Sequence, residues 1–137
     1  MQLNPYLHFK GECETAFKFY EKCLGGKIVA LLPFEGSPAG GVPPEWGKKI
    51  MHGLLQIDGQ SLMGTDAPPN LYEQPKGFSV SLQINDPKEA DRIFQELSEN
   101  GQIKMPIQET FWATRFGMLV DRFGIPWMVN CPKPSMQ

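Results

Sequence analysis

Apolar and polar positions along this chain follow two periods, two and about three and a half, in an order that is run through twice. Phe78, Val80, Leu82 and Ile84 alternate with Ser79, Ser81 and Gln83, which predicts a strand with one apolar and one polar face. Asn4, Tyr6 and His8 alternate with Pro5, Leu7 and Phe9 in the same way near the start. After each strand comes an apolar stripe at three- and four-residue steps, the pattern of an amphipathic helix. Cys13, Ala16, Phe17, Tyr20, Cys23 and Leu24 make the first stripe, and Ala90, Ile93, Phe94 and Leu97 the second. The elements expected are Asn4–Phe9, Glu12–Leu24, Lys27–Leu32, Lys49–Ile57 and Gln60–Asp66. Phe78–Ile84, Asp86–Asn100, Ile103–Thr110, Thr114–Val120 and Ile125–Asn130 then repeat that order.

Punctuation supports these bounds. Gly25–Gly26 offers the left-handed exit that the first helix needs. Asp86 is a good N-cap for the second, Pro87 fits its first position, Glu89 completes a capping box and Gly101 ends it. Asp58–Gly59 reads as a two-residue hairpin turn, because both residues tolerate positive φ. Asp121–Gly124 forms the turn between the last two strands, with Asp121 capping it. The fold class expected is α+β: two βαβββ modules, 3–66 and 77–131, joined by a linker 67–76 in a single domain 1–137. Their half-sheets are expected to curve into a mixed sheet around a shared cavity, where small molecules bind.

Composition narrows the partners. The 137 residues are long enough to bury a core, and 41% hydrophobic with 20% charged residues describes an ordinary globule. A formal net charge of -2, a pI near 5.7 and scattered basic residues argue against nucleic acid. Membrane attachment is not expected, since no apolar run approaches about 18 residues. Met1–Gly11 has neither a basic leader nor an apolar core, so no signal peptide is expected. Cys13, Cys23 and Cys131 lack metal-type spacing; they read as small buried hydrophobes in a reducing cytoplasm or, alternatively, include a catalytic thiol. Pro33–Gly47, with four prolines, four glycines and Trp46, is either a surface loop or a flap over the cavity with Trp46 as its apolar contact.

The run Phe111-Trp112-Ala113-Thr114-Arg115-Phe116-Gly117-Met118-Leu119-Val120-Asp121-Arg122-Phe123-Gly124-Ile125-Pro126-Trp127 resembles the C-terminal signature of PhnB-like proteins. Phe19-Tyr20 with Leu24-Gly25-Gly26, Ile50-Met51-His52 and Leu62-Met63-Gly64-Thr65-Asp66 strengthen the resemblance, which spans residues 3–131. These proteins belong to the vicinal-oxygen-chelate superfamily, with glyoxalase I, bleomycin-resistance proteins and extradiol dioxygenases. The resemblance implies a glyoxalase-like fold of paired βαβββ modules and a homodimer. Members of the subfamily have been labelled demethylubiquinone methyltransferases. That label conflicts with the residues: such an enzyme needs a glycine-rich turn between a strand and a helix, whereas Gly25–Gly26 follows a helix and precedes a strand.

The superfamily's enzymes hold a divalent metal with His or Glu from four strands. Carried across by the resemblance, those positions fall at Asn4, Met63, Ser79 and Met128, none a His, Asp or Glu. Thioethers and hydroxyls are poor ligands for such cations. No metal and no cofactor is therefore expected. The chain has two histidines. His8 shares strand parity with Asn4 and faces the cavity, as a ligand contact or as a structural residue. His52 is either a hydrogen-bonded structural residue or part of a displaced His–His–carboxylate site with Glu109 or Asp66. The leading expectation is a cytoplasmic, homodimeric small-molecule-binding protein without the superfamily's metal. Its ligand contacts would be Asn4, Tyr6, His8, Met63, Ser79, Ser81, Gln83, Trp112 and Met128, with Trp46 nearby. The alternative is a metal-dependent lyase, isomerase or dioxygenase using a displaced site. Catalytic residues and ligand identity are left open.

Overall fold

A computed structural model describes residues 1–36 and 42–136. The chain divides into two compact units, Met1–Glu73 and Gln74–Gln137. In the first, β1 (Tyr6–Phe9), α1 (Cys13–Leu24), β2 (Lys27–Pro33), β3 (Ile50–Ile57) and β4 (Gln60–Asp66) build a four-stranded sheet in the order β1-β4-β3-β2. Strands β1 and β4 are parallel and the other pairs antiparallel. In the second, β5 (Val80–Gln83), α2 (Pro87–Leu97), β6 (Gln102–Gln108), β7 (Ala113–Val120) and β8 (Pro126–Pro132) repeat the topology as β5-β8-β7-β6, with β5 and β8 parallel. Each unit is a βαβββ module, as the repeat in the sequence and the glyoxalase-like resemblance imply.

In each unit the helix covers one face of its sheet. Ala16, Phe17, Tyr20 and Cys23 of α1 are buried over Leu7, Phe9, Leu55 and Leu62. Phe9 and Phe17 meet edge to face, centroids 6.0 Å apart. Ala90, Ile93, Phe94 and Leu97 of α2 do the same over Leu119, Trp127 and Val129. The helix leaves the other face of each sheet to β-strand side chains alone.

Several expected details differ. Strand β1 starts at Tyr6 rather than Asn4, since Pro5 has no N–H to give to a ladder. Strand β5 starts at Val80 rather than Phe78, just after Gly77 in the left-handed region. Asp86 does cap α2, accepting from Lys88 N at 3.0 Å, but Glu89 completes no capping box: it turns to Arg92 one helical turn on. Helix α2 ends at Leu97, not Asn100, because the Ser98 hydroxyl bonds the Phe94 carbonyl and Asn100 takes the left-handed turn at φ 58°. Strand β6 stops at Gln108, where Thr110 closes a tight turn with Ala113 through Oγ1 and backbone. Of the segment 33–47, residues 37–41 lie outside the described residues, so the flap expectation does too. Pro44–Trp46 forms one turn of 3₁₀ helix, with the Trp46 ring beside Gly11 and Lys49 Nζ 5.8 Å from its centroid.

Candidate functional site

The uncovered face of the first sheet follows from its register. Tyr6 pairs with Met63, and Met63 with Leu54, so an aromatic ring, a thioether and a leucine lie in one row across three strands. His8 pairs with Thr65 in the row beside it. From β3, His52 joins them: its Nδ1 lies 3.0 Å from Tyr6 Oη, a bond between residues 46 apart in sequence. The Tyr6 ring stands 5.7 Å from both His8 and His52, tilted by 53° and 31°. Both histidines of the chain thus gather on the phenol of Tyr6, a residue 42% exposed. Burial first, and the charge of Cys13 second, hold the Tyr6 hydroxyl above its ordinary pKa. The Thr65 hydroxyl is already engaged with the Met51 carbonyl at 2.7 Å. Asn4 stands before β1, half-buried and outside the ladder.

On the second sheet Ser81 pairs with Met128 and Gln83 with Asn130. Their side chains form a hydrogen-bonded ladder: Asn130 Nδ2 donates to Gln83 Oε1 at 2.8 Å, and Gln83 Nε2 to Ser81 Oγ at 3.1 Å. Asn130 Oδ1 is buried without a hydrogen-bond partner among the described residues. Ser79 lies just before β5. Trp112 lies in the turn before β7, edge to face between Phe111 at 4.9 Å and Phe116 at 5.3 Å. So Tyr6, His8 and Met63 come together in one unit, and Ser81, Gln83 and Met128 in the other, with Asn4 and Ser79 at the strand entries. Two members were missing from the expected ligand contacts. Asn130 has the parity of Met128 and was legible from it; His52 owes its place to a cross-strand contact with no local signal.

The superfamily's metal positions do not fit a metal in this chain, since they offer only an amide, two thioethers and a hydroxyl. Among the described residues no three of His, Cys, Asp and Glu gather as ligands. Asp66, considered above as a third ligand to the histidines, is committed elsewhere. It is buried, and its oxygens accept from Cys13 N and Ile50 N, both at 2.8 Å. It caps the start of α1 rather than the end of its own strand. Glu109 pairs with Lys133 at 3.1 Å. Asp121 caps its turn as expected, accepting from Phe123 N and Ile125 N, and also binds Trp127 Nε1 at 2.8 Å. All three cysteines are buried, and burial, with Asp66 and Glu14 beside it, pushes Cys13 far above the ordinary thiol range. That is the opposite of an activated nucleophile. A separate cavity of about 250 Å³ opens at the start of α1, lined by Gly11, Glu14, Thr15, Lys48, Lys49 and others.

Residues 1–130 match the model of a family described as 3-demethylubiquinone-9 3-methyltransferase. Protein YjdN of Escherichia coli (strain K12) is 36% identical over 144 residues, covering 97% of either chain. The crystal structure of protein PA1353 from Pseudomonas aeruginosa is 47% identical, with a TM-score of 0.89 over 96% of this chain and 98% of that one. A putative 3-demethylubiquinone-9 3-methyltransferase, PhnB protein, from Bacillus cereus is 24% identical and shares the fold at a TM-score of 0.78, over 96% and 99% of the two chains.

Proposed function

Because the chain belongs to this PhnB-like family of glyoxalase-like fold, described as 3-demethylubiquinone-9 3-methyltransferase, we propose that it binds a small organic molecule on the uncovered faces of its sheets. The methyltransferase name is a label of the family and finds no support in the residues. Gly25 is the left-handed cap of α1 at φ 77°, and a Cβ on Gly26 would lie 2.5 Å from the Gln56 carbonyl oxygen. Both glycines thus answer to the packing of the helix exit, not to a cofactor phosphate.

The observation that carries the reading is the gathering of Tyr6, His8 and His52 on a partly exposed sheet face. A rigid strand scaffold that holds three polar rings beside Met63 and Leu54 combines a few hydrogen-bonding groups with an apolar wall, the make-up of a ligand site. The ligand contacts proposed are Asn4, Tyr6, His8 and Met63 in the first unit, and Ser79, Ser81, Gln83, Trp112 and Met128 in the second. His52 and Asn130 join them. The buried, unpartnered Asn130 Oδ1 ends a hydrogen-bonded ladder and supports a role for that second set.

The three buried thiols suit a reducing cytoplasm. No helix among the described residues is long and apolar enough to cross a membrane. Exposed Leu71, Phe78, Ile103 and Phe111 are apolar surface that a second copy of the chain would cover. We propose a homodimer on that ground, and sedimentation reads it directly. The binding reading is tested by thermal shift across a metabolite library, since a ligand stabilises by RT ln(1 + [L]/Kd), followed by NMR mapping of each hit. Hits are expected to move signals of Tyr6, His8 and His52. A library without hits, or hits that map away from both faces, would overturn the reading.

A further inference from the structure

We propose that the uncovered face of the second sheet takes a neutral aromatic molecule that donates an N–H or O–H to Asn130, a step that rests on the ligand-binding reading above. Asn130 is the reason for the donor. Its Nδ2 donates to Gln83 Oε1 at 2.8 Å, and Gln83 Nε2 is spent on Ser81 Oγ at 3.1 Å. Asn130 Oδ1 is therefore turned away from Gln83. A carbonyl oxygen only accepts, and this one is closed to water with no donor beside it among the described residues. Turning the Asn130 amide over alone would set acceptor against acceptor at Gln83 Oε1. Turning both amides over would leave a buried donor instead, which the ligand's preference distinguishes. A buried acceptor left unmet costs the full desolvation of the group, and a ligand that supplies a proton recovers it.

The rest of the face sets the body of the ligand and its charge. A Cβ on Gly117 would meet Phe94 of α2, so Gly117 faces the helix while Phe116 and Met118 face away from it. Register then puts Met105, Met118 and Met128 side by side across β6, β7 and β8, with Ser81 at the end of the row. The next row carries Gln83, Asn130 and Phe116, and the Trp112 ring meets Phe116 edge to face at 5.3 Å. Thioethers and aromatic rings together make a soft wall, and sulfur packs favourably against ring edges. Met128 lies two residues from Asn130 on the same side of β8, unbranched and half-buried. It shifts readily to admit a ring beside Oδ1. Neither row contains a charged residue. An ammonium or carboxylate would shed its water there and meet no opposite charge, so the donor is neutral.

The test uses the full chain and probes of one bicyclic shape: indole, which donates an N–H; benzofuran, which donates nothing; and benzoxazole, which accepts. NMR follows the Met methyls and the Asn130 side-chain amide. Indole is expected to move the Met118, Met128 and Asn130 signals together and to bind on the order of fivefold more tightly than either other probe. Asn130→Leu is expected to remove that preference and leave benzofuran binding little changed. Gln83→Leu, at an exposed position, is expected to weaken it by freeing the Asn130 amide to turn. Cationic tryptamine is expected to bind more weakly than indole, and tighter binding overturns the neutral class. Equal affinity for indole and benzofuran at these residues overturns the donor and leaves the ligand face standing. Tighter binding of benzoxazole, or an indole preference that survives in both variants, overturns it as well. Failure of all these probes, at millimolar concentration, to move any of the signals overturns this face as a ligand site, whatever the Tyr6 face does in the library screen.

Discussion

The carboxylate of Asp66, last residue of β4, holds the first backbone N–H of α1: Oδ1 lies 2.8 Å from Cys13 N, across 53 residues of sequence. Its other oxygen takes Ile50 N at the same distance. Helix α1 has no side-chain cap of its own at Glu12, so the sheet supplies one, with a negative charge where the helix dipole favours it. Asp66→Ala strands two N–H groups and is expected to cost about 2–5 kcal/mol in urea unfolding. Asp66→Asn is expected to recover less than half of that, because its NH₂ group must face one of the two donors.

The Cys13 thiol gives alkaline pH a defined effect. Burial, then Asp66 and Glu14, raise it in the folded chain above its unfolded value. The folded state therefore keeps a proton that the unfolded state releases. Stability is full below the ordinary thiol range and falls as pH rises above about 8.5, on the order of 1 kcal/mol per pH unit from this group. Cys131 is raised by burial too and acts in the same direction. Urea midpoints measured from about pH 8 to about pH 10 should fall, and Cys13→Ala should fall less steeply, whatever its level at neutral pH.

What was legible in the sequence is what local spacing dictates. The helix stripes, the Asp86 cap and the Asp58–Gly59 turn, whose residues do take φ of 50° and 78°, each depend on neighbours within a few positions. Strand parity also puts Tyr6 and His8 on one face, and Ser81 and Gln83 on the other unit's, while Met63 and Met128 follow only from the family resemblance. Partners distant in the chain were not legible. Asp66 reads alone as a strand-end turn residue, and only the β1–β4 pairing carries it to α1. His52 reads as a lone structural histidine until β3 and β1 bring it to Tyr6. Glu89 stands where a capping box needs it, yet Arg92 one turn away competes for it and wins.

Asp121 and Trp127 form the corresponding tie in the second unit. One carboxylate serves two turn N–H groups and the indole N–H, so the β7–β8 turn is fixed to a buried side chain of β8. Trp127→Phe keeps most of the apolar volume and removes one charge-assisted bond. Its expected cost is about 1–3 kcal/mol. A double-mutant cycle with Asp121→Ala should return a coupling energy above about 1 kcal/mol.

Gly117 tests how tightly α2 sits on its sheet. A Cβ there would lie 2.6 Å from Phe94 Cε2 and 3.0 Å from the Ile107 Cα, a ring on one side and main chain on the other. Phe94 is buried and cannot swing aside, whereas β6 is an edge strand, exposed at all its positions but Ile107. The strain is expected to fall on β6. Gly117→Ala should cost about 1–3 kcal/mol and speed hydrogen exchange in β6 more than in β8. Phe94→Leu in the same chain removes the ring atoms in the way, so the double variant should lose less than the two single losses added together. Strict additivity would show that the main-chain contact with Ile107, not the ring, sets the cost.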